Sequence, residues 1–402
     1  MSPVVVSLTS AHRLTYSSDM SNSFWSRLPK PFFCLAPLAD VTDAAFRRII
    51  TKYGKPDVLW TEFVSVDGLC HVLRSFGEEG LTLSHPLLRD LMYTEAERPI
   101  VAQIFGSKPD HFFQVAELIR ELGFDGIDIN MGCPDRNVEK QGGGAALIKS
   151  PELAQEIIRA AQEGGGGLPV SVKTRVGFNK SELETWIPKL LETKLAAITV
   201  HARTRKEMSK VPAQWGYVKE VVEMAKGSGT LIVGNGDVRD VNDGRIKAAE
   251  TGADGVMLGR AIFGNPWLFA NLPQLRAGWQ IERPVPISPR VAERKNNDDT
   301  LVLNHATQRR NRPSEASALR PDSFAELGLG HPTIEEKLRV MVEHTKLFHE
   351  LLGDVKNFAV MKKHYKAYVN GFDGARELRM KLMETENPEQ VESIVRGFLG
   401  QL

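Results

Sequence analysis

Cys133 is the residue of this sequence with the clearest chemical signature. It lies in the segment NMGCPD, residues 130–135, directly after an apolar run. No cationic residue adjoins it, so a thiol near its reference pKa of about 8.5 stays mostly protonated at neutral pH. A protonated thiol held in a loop suits a proton donor better than a nucleophile. We interpret the other two cysteines, Cys34 and Cys70, as small buried hydrophobic residues.

Lys173 is a cation inside the otherwise apolar run VSVKTRV. Burying an ammonium group without a partner is costly, so this side chain needs a fixed anionic or electron-rich ligand. The alternative is an internal salt bridge with Glu62 or Asp128, because buried charges are usually paired. Arg175, two residues further along, shares the same face of the strand and points the same way.

Glycines and polar residues end two further apolar runs, with GNGD at 234–237 and GR at 259–260. Backbone N–H groups of such turns bind phosphate, and Arg260 adds a bidentate donor, although GNGD alone also fits a simple turn. The run QGGGAAL, 141–147, fits either a flexible loop or a wall facing a substrate. His201 ends another run, where a ligand contact competes with a hydrogen-bonded core position.

Eight short apolar runs position these residues, with helix-patterned stretches between most of them. Continuous apolar strands that alternate with helices predict a parallel sheet covered by helices. The runs are FFCLAP (32–37), DVLWTEF (57–63), PIVAQIF (99–105), GIDINM (126–131), PVSVKTRV (169–176), AITVHART (197–204), TLIVGNGD (230–237) and GVMLGRA (255–261).

Eight such units predict an α/β protein with a (β/α)₈ barrel, in preference to an open doubly wound sheet. No GxGxxG follows the first run, and polar residues end nearly every run. In a barrel those ends converge on one mouth, where active sites of this fold lie, so the pattern predicts an enzyme. The residues concerned are Asp40, Glu62, Gln103, Asn130, Lys173, His201, Asn235 and Arg260.

The remainder of the chain predicts a domain order around a barrel at 31–282. Residues 1–30 fit a disordered tail that loosely resembles a mitochondrial presequence, and 283–331 fits a low-complexity linker or insertion. Residues 332–402 predict a small helical domain, whose first helix begins at Thr333 with Glu336 completing a capping box.

Bulk composition excludes several classes of protein. Lys+Arg number 51 and Asp+Glu 50, so a basic surface, if present, must be local. Three scattered cysteines do not make a disulfide framework or a zinc site, so no metal is expected. No apolar run reaches the roughly 18 residues that span a bilayer, and a cytoplasmic monomer is the expectation.

The motifs resemble those of the tRNA-dihydrouridine synthases, closely over residues 32–270 and more loosely over 333–385. LAPLADVTDAAFRRI is similar to the opening segment of that family, with Leu38 where methionine is usual. DINMGCPDRNVEKQGGGAALIK is similar to the signature around the family's catalytic cysteine. VSVKTRVG, TVHART, VGNGD and MLGRA resemble its flavin-contacting strand ends. Without a zinc finger, the pattern is closer to bacterial-type members.

The resemblance implies that FMN is the cofactor, that NADPH reduces it and that tRNA is the substrate. Hydride from the flavin would reach uracil C6, and the Cys133 thiol would protonate C5. Asn130 and Arg175 would help to position the uridine. The implied FMN contacts are Pro37, Leu38, Ala39, Gln103, Lys173, His201, Asn235, Gly236, Asp237, Gly259 and Arg260.

A basic segment of the helical tail is the candidate RNA-binding surface, and Lys362 and Lys363 are its central residues. Its basic residues are Lys356, Lys362, Lys363, Lys366, Arg376, Arg379 and Lys381. Two alternatives stay open at this stage. One is a barrel flavoprotein that acts on a free pyrimidine or another small molecule, as dihydroorotate dehydrogenases do. The other is an RNA-binding barrel without catalysis.

Overall fold

The computed structural model describes residues 23–76, 85–270, 272 and 332–401. Its centre is an eight-stranded parallel sheet in the order β1-β8-β7-β6-β5-β4-β3-β2. The strands are Phe32–Leu35 (β1), Leu59–Ser65 (β2), Ile100–Phe105 (β3), Gly126–Met131 (β4), Val170–Arg175 (β5), Ala197–His201 (β6), Leu231–Asn235 (β7) and Gly255–Leu258 (β8). Each predicted apolar run contains or overlaps one strand, and β2 lies two residues later than predicted.

The first and last strands of this order meet, so the sheet closes into a barrel. Cys34 and Val58 form a parallel bridge between β1 and the start of β2. Around it, the Asp57 N–H donates to the Phe33 carbonyl over 2.9 Å and the Leu35 N–H donates to the Val58 carbonyl over 3.4 Å. The predicted (β/α)₈ barrel is therefore confirmed, and the open sheet is not.

Helices cover the barrel and continue beyond it. They are Ala44–Gly54 (α1), Val66–Phe76 (α2), Pro86–Arg89 (α3), Pro109–Glu121 (α4), Arg136–Lys140 (α5), Pro151–Gly165 (α6), Leu183–Leu191 (α7), Gly216–Met224 (α8), Val241–Thr251 (α9), Ile334–Leu352 (α10), Met361–Tyr368 (α11), Ala375–Met383 (α12) and Pro388–Leu399 (α13). The capping box predicted for α10 is present, because Thr333 accepts from the Glu336 N–H and Glu336 accepts from the Thr333 N–H.

The strands form because their side chains are apolar on both faces of the sheet. Every residue of β4 is buried, including Ile127 and Ile129, and β3 is buried except at its last residue. Truncating one such isoleucine to alanine costs about 2–5 kcal/mol, since the removed methylenes leave a cavity. Close packing of this kind holds the strand ends, and the side chains that they carry, in one arrangement.

The end of the barrel opposite the mouth is closed by a short 3₁₀ helix, Phe24–Arg27. Phe24 and Trp25 are buried there, and Trp25 packs edge-on against Phe32 with ring centroids 5.7 Å apart. The sequence analysis placed these aromatic residues in the N-terminal tail. Phe24, Trp25 and Leu28 are therefore part of the barrel core.

Of the four C-terminal helices, α10 packs on α1, the other three pack on α10 or on one another, and all four share one apolar core with the barrel. Gly264 shows how close the approach is: its φ is +68°, and a Cβ there would lie 2.1 Å from the Ala367 carbonyl oxygen. Only glycine fits such a position. The predicted linker at 283–331 lies outside the described residues. No helix in the described part of the chain is long and apolar enough to cross a membrane.

Candidate active site

The loop that carries Cys133 is held by side chains and by close backbone packing. Asn130, at the end of β4, accepts hydrogen bonds from the N–H groups of Gly132 (3.1 Å) and Cys133 (2.9 Å). The close backbone packing around this loop comes from the glycine run at 141–147. A Cβ at Gly144, whose φ is +59°, would lie 2.7 Å from the Cys133 carbonyl oxygen. These glycines therefore let one backbone segment wrap closely around the cysteine loop.

The Cys133 side chain is a protonated thiol at neutral pH. Burial raises its pKa, and the nearby Asp135 carboxylate acts in the same direction. A backbone hydrogen bond from Asp135 and the charges of Lys173 and Arg175 oppose that rise without reversing it. Cys34 and Cys70 are buried among apolar residues, as predicted, and burial raises the pKa of both thiols.

A chain of buried side chains supports the Cys133 loop from inside the barrel. The Asn130 Nδ2 group donates to Gln103 Oε1 over 3.1 Å, and Gln103 Nε2 donates to Asp128 Oδ2 over 2.6 Å. Ser171 donates to the other Asp128 oxygen over 2.6 Å. Gln103 is fully buried, and both of its amide atoms are used in this chain. Gln103 and Asn130 thus position the loop in this structure.

Lys173, in the second half of β5, is half-buried, and the Asp128 carboxylate acts on its charge without forming an ion pair with it. In the described part of the chain its ammonium group has neither a hydrogen bond nor an ion pair, because Asp128 bonds to Gln103 and Ser171, while Glu62 pairs with Lys356. The internal salt bridge considered as an alternative is therefore absent. Burial, reinforced by the Arg175 charge, lowers the pKa of Lys173 to about 8.

Arg175 connects two loops at the mouth, the one that carries Cys133 and the one that follows β6. Its Nε donates to the Gly132 carbonyl over 2.7 Å, and its Nη1 donates to the carbonyls of Thr204 (3.0 Å) and Met208 (2.9 Å). The side chain is buried, and burial lowers its pKa to about 10. The sequence predicts that Arg175 positions a uridine. In the structure its hydrogen bonds hold the Cys133 loop and the loop after β6 in place.

Arg203, which the sequence analysis did not single out, organises the opposite side of the mouth. Its Nη1 lies 3.1 Å from His201 Nε2, and its Nη2 donates to Asp237 Oδ2. Arg260 donates to the other Asp237 oxygen over 2.6 Å. A signal existed in the sequence, since Arg203 is a charged residue two positions after His201 at the end of an apolar run.

The charge around His201 is strongly positive. Burial is the largest cause that lowers the pKa of this imidazole, and the charges of Lys173, Arg175, Arg203 and Arg260 add to it. His201 is therefore neutral, with Nε2 as an acceptor for Arg203. Asp237 faces the two arginines, which hold the pKa of its carboxyl below the usual value. The mouth thus carries more cations than carboxylates.

The predicted phosphate turn supplies free backbone donors. Gly236 has a φ of +124°, and a Cβ there would lie 2.8 Å from the Ala213 Cβ, so only glycine fits. Within the described residues, the N–H groups of Gly236 and Asp237 donate to no protein acceptor. The Asn235 side chain is already used, because its Nδ2 donates to the Met257 carbonyl over 2.7 Å. An anion at this turn would meet backbone N–H groups and Arg260.

The loop after β1 borders the same turn. Its predicted contacts run from Pro37, which is buried, through Leu38, which is half-buried, to Ala39, which is exposed. The Leu38 N–H donates to Thr42 Oγ1 over 2.9 Å. A Cβ at Gly259 would lie 3.7 Å from the Ala36 Cβ, so this loop and the end of β8 are neighbours.

Of the basic tail residues, the structure brings Lys363 to the mouth. Its Nζ lies 3.7 Å from Asp40 Oδ2 in the loop after β1, and Lys362 precedes it on α11. Lys356 was wrongly included in the exposed basic surface. It is half-buried and forms ion pairs with Glu62 (2.6 Å) and Asp90 (3.0 Å), because the turn after α10 packs against the barrel.

Comparison with known proteins identifies the family of this chain. A family model described as "Dihydrouridine synthase (Dus)" matches residues 34–321. The chain is 34% identical over 387 residues to "Probable tRNA-dihydrouridine synthase" of Staphylococcus aureus (strain MRSA252), covering 95% of this chain and 98% of that protein. It is 34% identical over 383 residues to "Probable tRNA-dihydrouridine synthase 2" of Bacillus subtilis (strain 168), covering 94% and 97%. An old yellow enzyme homologue from Zymomonas mobilis has 14% identity and a TM-score of 0.41, covering 60% and 87%, too low a likeness to support an argument.

Proposed function

The chain belongs to the dihydrouridine synthase family and reduces uridine in tRNA to 5,6-dihydrouridine, and we propose that the barrel mouth around Cys133 and Lys173 is the site of that reduction. The observation that carries the proposal is the unpaired Lys173 ammonium group beside a protonated thiol. A cation that has lost much of its hydration and forms no ion pair is costly, so the position of Lys173 at the mouth argues for an electron-rich ligand.

We infer that the ligand is FMN, the flavin of this flavin-dependent family. The phosphate would lie at Gly236, Asp237, Gly259 and Arg260, where free N–H groups and a guanidinium face the mouth. Asp237 would act through its backbone, because its carboxylate is held by Arg203 and Arg260. Lys173 and neutral His201 would face the flavin ring. When bound, the reduced flavin supplies hydride to uracil C6.

The chain itself supplies the proton. The Cys133 Sγ–H would protonate uracil C5, so the raised pKa of this thiol keeps the acid in its reactive form at neutral pH. Asn130, Gln103 and Arg175 hold the loop, and thereby the thiol, in one position. A fixed donor avoids the entropy cost of bringing a solvent acid to the carbon. We propose that Asn130 and Arg175 also orient the uridine.

Folded tRNA must present the uridine out of its base stack, which costs a few kcal/mol and requires additional binding surface. We propose that α11 contributes such a surface through Lys362 and Lys363, since the contact between Lys363 and Asp40 sets this helix beside the mouth. NADPH is the proposed source of electrons. The enzyme is proposed to act as a cytoplasmic monomer, which light scattering of the purified protein tests.

The alternatives that the sequence left open are not favoured. The named relatives cover nearly the whole chain and are tRNA-dihydrouridine synthases, rather than enzymes of free pyrimidines. An RNA-binding barrel without catalysis would have no need of a protonated thiol and an unpaired lysine at one mouth.

Anaerobic absorbance spectroscopy tests the proposal. The purified protein should show flavin bands that bleach on addition of NADPH and return on addition of unmodified tRNA, with dihydrouridine detected in the RNA. A colourless protein that FMN does not reconstitute would contradict the flavin site. A flavoprotein reoxidised by a free pyrimidine and not by tRNA would favour the small-molecule alternative.

A further inference from the structure

The loop that follows β6 exposes apolar side chains at the rim of the mouth. Met208 is 41% exposed and Val211 is 37% exposed, and they are two of four large hydrophobic residues exposed in the described part of the chain. The other two, Ile246 and Met380, lie on helices α9 and α12. Two exposed apolar residues three positions apart in one loop are unusual for a surface that faces only water.

This loop is fastened directly to the arginines of the active site. Arg175 Nη1 donates to the Met208 carbonyl over 2.9 Å, while its Nε holds the Gly132 carbonyl next to Cys133. Arg203 Nε donates to the Val211 carbonyl over 2.6 Å. One guanidinium therefore connects the backbone of Met208 with the loop that carries the proposed proton donor. The apolar side chains are held at a defined position relative to the thiol.

Further bonds make the loop rigid. The N–H groups of Arg205 and Lys206 donate to the carbonyls of Gly177 and Phe178, each over 2.9 Å. The Arg205 side chain forms a two-pronged ion pair with Glu139 of α5, the helix that follows the Cys133 loop. The exposure of Met208 and Val211 is thus imposed by the surrounding structure. A flexible loop would bury such side chains against the nearest apolar surface.

Basic residues flank the apolar pair. Lys206 and Lys210 are exposed, and neither has an ion-pair partner among the described residues. Exposed lysines contact phosphates, and apolar side chains inserted beside a base replace the stacking that an extruded nucleotide gives up. The alternation of basic and apolar side chains in Lys206–Val211 matches an RNA strand that carries one extruded base.

We propose that residues 206–211 form an RNA-contacting loop in which Met208 and Val211 pack against the bases next to the extruded uridine. Lys206 and Lys210 contact the phosphates of the same strand. This inference rests on the proposed function, because its ligand is folded tRNA. It adds to that function the element that stabilises the unstacked state of the substrate.

Truncation of the apolar pair tests the contact with the bases. The double variant Met208→Ala, Val211→Ala should lower kcat/KM for unmodified tRNA about tenfold or more, because the unstacked bases lose their apolar cover. Met208→Leu, which keeps apolar volume, should stay within about twofold of the wild-type protein. Ile246→Ala is the matched control, because Ile246 is an exposed apolar residue on α9, outside the loop. Flavin content and thermal unfolding check that each variant folds.

Removal of the charges tests the contact with the phosphates. Lys206→Gln, Lys210→Gln should reduce the slope of log affinity for tRNA against log salt concentration by about one to two. Lys194→Gln is the control, since Lys194 is exposed before β6, at the opposite end of the barrel. Its slope should equal that of the wild-type protein.

The outcomes separate this inference from the proposed function. Wild-type protein that forms no dihydrouridine in tRNA contradicts the function itself. Active wild-type protein, with loop variants no different from Ile246→Ala and Lys194→Gln in kcat/KM and salt slope, overturns the loop proposal alone. A loss of kcat/KM in the apolar variant together with a smaller salt slope in the lysine variant supports it.

Discussion

Two half-buried lysines of this protein have opposite environments. Lys356, where the turn after α10 meets the barrel, touches the carboxylates of Glu62 and Asp90, and those charges raise its pKa above the usual value. Lys173, at the barrel mouth, touches no carboxylate, and burial lowers its pKa to about 8. The first cation stabilises the contact between two parts of the fold. The second has no such partner among the described residues, which is why we propose that it faces a ligand.

The regions around the two lysines repeat this contrast. At the mouth, Lys173, Arg175, Arg203 and Arg260 surround a neutral His201, so positive charge accumulates. At the contact between α1 and the C-terminal helices, charge is paired or absent: His344 and His364 are fully buried, neutral and packed on Phe46. We propose that the mouth, where charge is unpaired, binds a ligand, whereas the helix contact, where charge is paired or absent, stabilises the fold. Each variant below tests that distinction.

Cys133→Ala should have the largest effect of these variants, and that effect should be confined to the reaction at the barrel mouth. Loss of a positioned proton donor should lower dihydrouridine formation by a factor of about 10²–10⁴. Flavin content and flavin reduction by NADPH should persist, because the thiol is not needed for them. Cys70→Ala, a buried cysteine on α2, is the control that retains product formation. A Cys133→Ala protein that loses its flavin would make this residue structural.

Lys356→Met should destabilise the fold by about 3–5 kcal/mol, because Glu62 and Asp90 would stay buried without their cation. Chemical denaturation of the flavin-free protein measures this. Lys52→Met is the matched control: the pair between Lys52 and Glu343 bridges the same two regions at the surface and should contribute less than about 1 kcal/mol. Equal losses in the two variants would show that burial does not decide the strength of the contact.

Acidification should loosen the contact between α1 and the C-terminal helices. Burial lowers the pKa of His344, and lowers that of His364 to about 3, with no ring nitrogen of either residue hydrogen-bonded. A lowered folded-state pKa means that stability is complete above the unfolded value of about 6.5 and falls below it, by about 1.4 kcal/mol per pH unit for each histidine.

The groups around this histidine pair are Phe46, Phe263, Tyr368 and the exposed Lys363 next in sequence. None of them is a carboxylate that could stabilise a protonated ring. Unfolding free energies between pH 7 and 5.5 should therefore decline less steeply in His364→Phe than in the wild-type protein. Identical slopes would mean that His364 binds a proton as readily in the folded protein as in the unfolded chain, so that burial does not keep its ring neutral.

Lys173→Met should have the smallest effect on stability, and it should stabilise the folded protein where Lys356→Met destabilises it. Removing an unpaired ammonium should raise the unfolding free energy of the flavin-free protein by about 1 kcal/mol at pH 7. Because the folded-state pKa is lowered to about 8, the wild-type protein should gain stability between pH 8 and about 10.5. The variant should lack that gain and retain flavin more weakly. A destabilised variant would reveal a hidden partner for Lys173.

The local elements of the fold were predictable because their cause is local. The alternation of apolar runs with helices predicted all eight strands, and Thr333 with Glu336 predicted the start of α10. The Cys133 loop was equally readable, since the glycines that wrap it lie close by in sequence. The resemblance in motifs then identified the family that the comparisons support.

The pairing of charges was not predictable in this way. Lys356 was read as part of a basic surface, although its partner Glu62 lies 294 positions away along the chain. Arg203 escaped notice, although it holds His201 and Asp237. Trp25 lay in a polar N-terminal stretch and yet closes the barrel. In each case the deciding neighbour comes from a distant segment.

The sequence by itself determined the barrel, the loop that carries Cys133 and the family, because periodicity, turns and motifs act over short stretches of chain. Only the tertiary structure decided which cations are neutralised and which face the mouth. The energy of a charge depends on burial and on partners within a few ångströms, and closure of the barrel brings those partners together from separate strands. Lys173 and Lys356 look alike in sequence, and the fold gives them different functions.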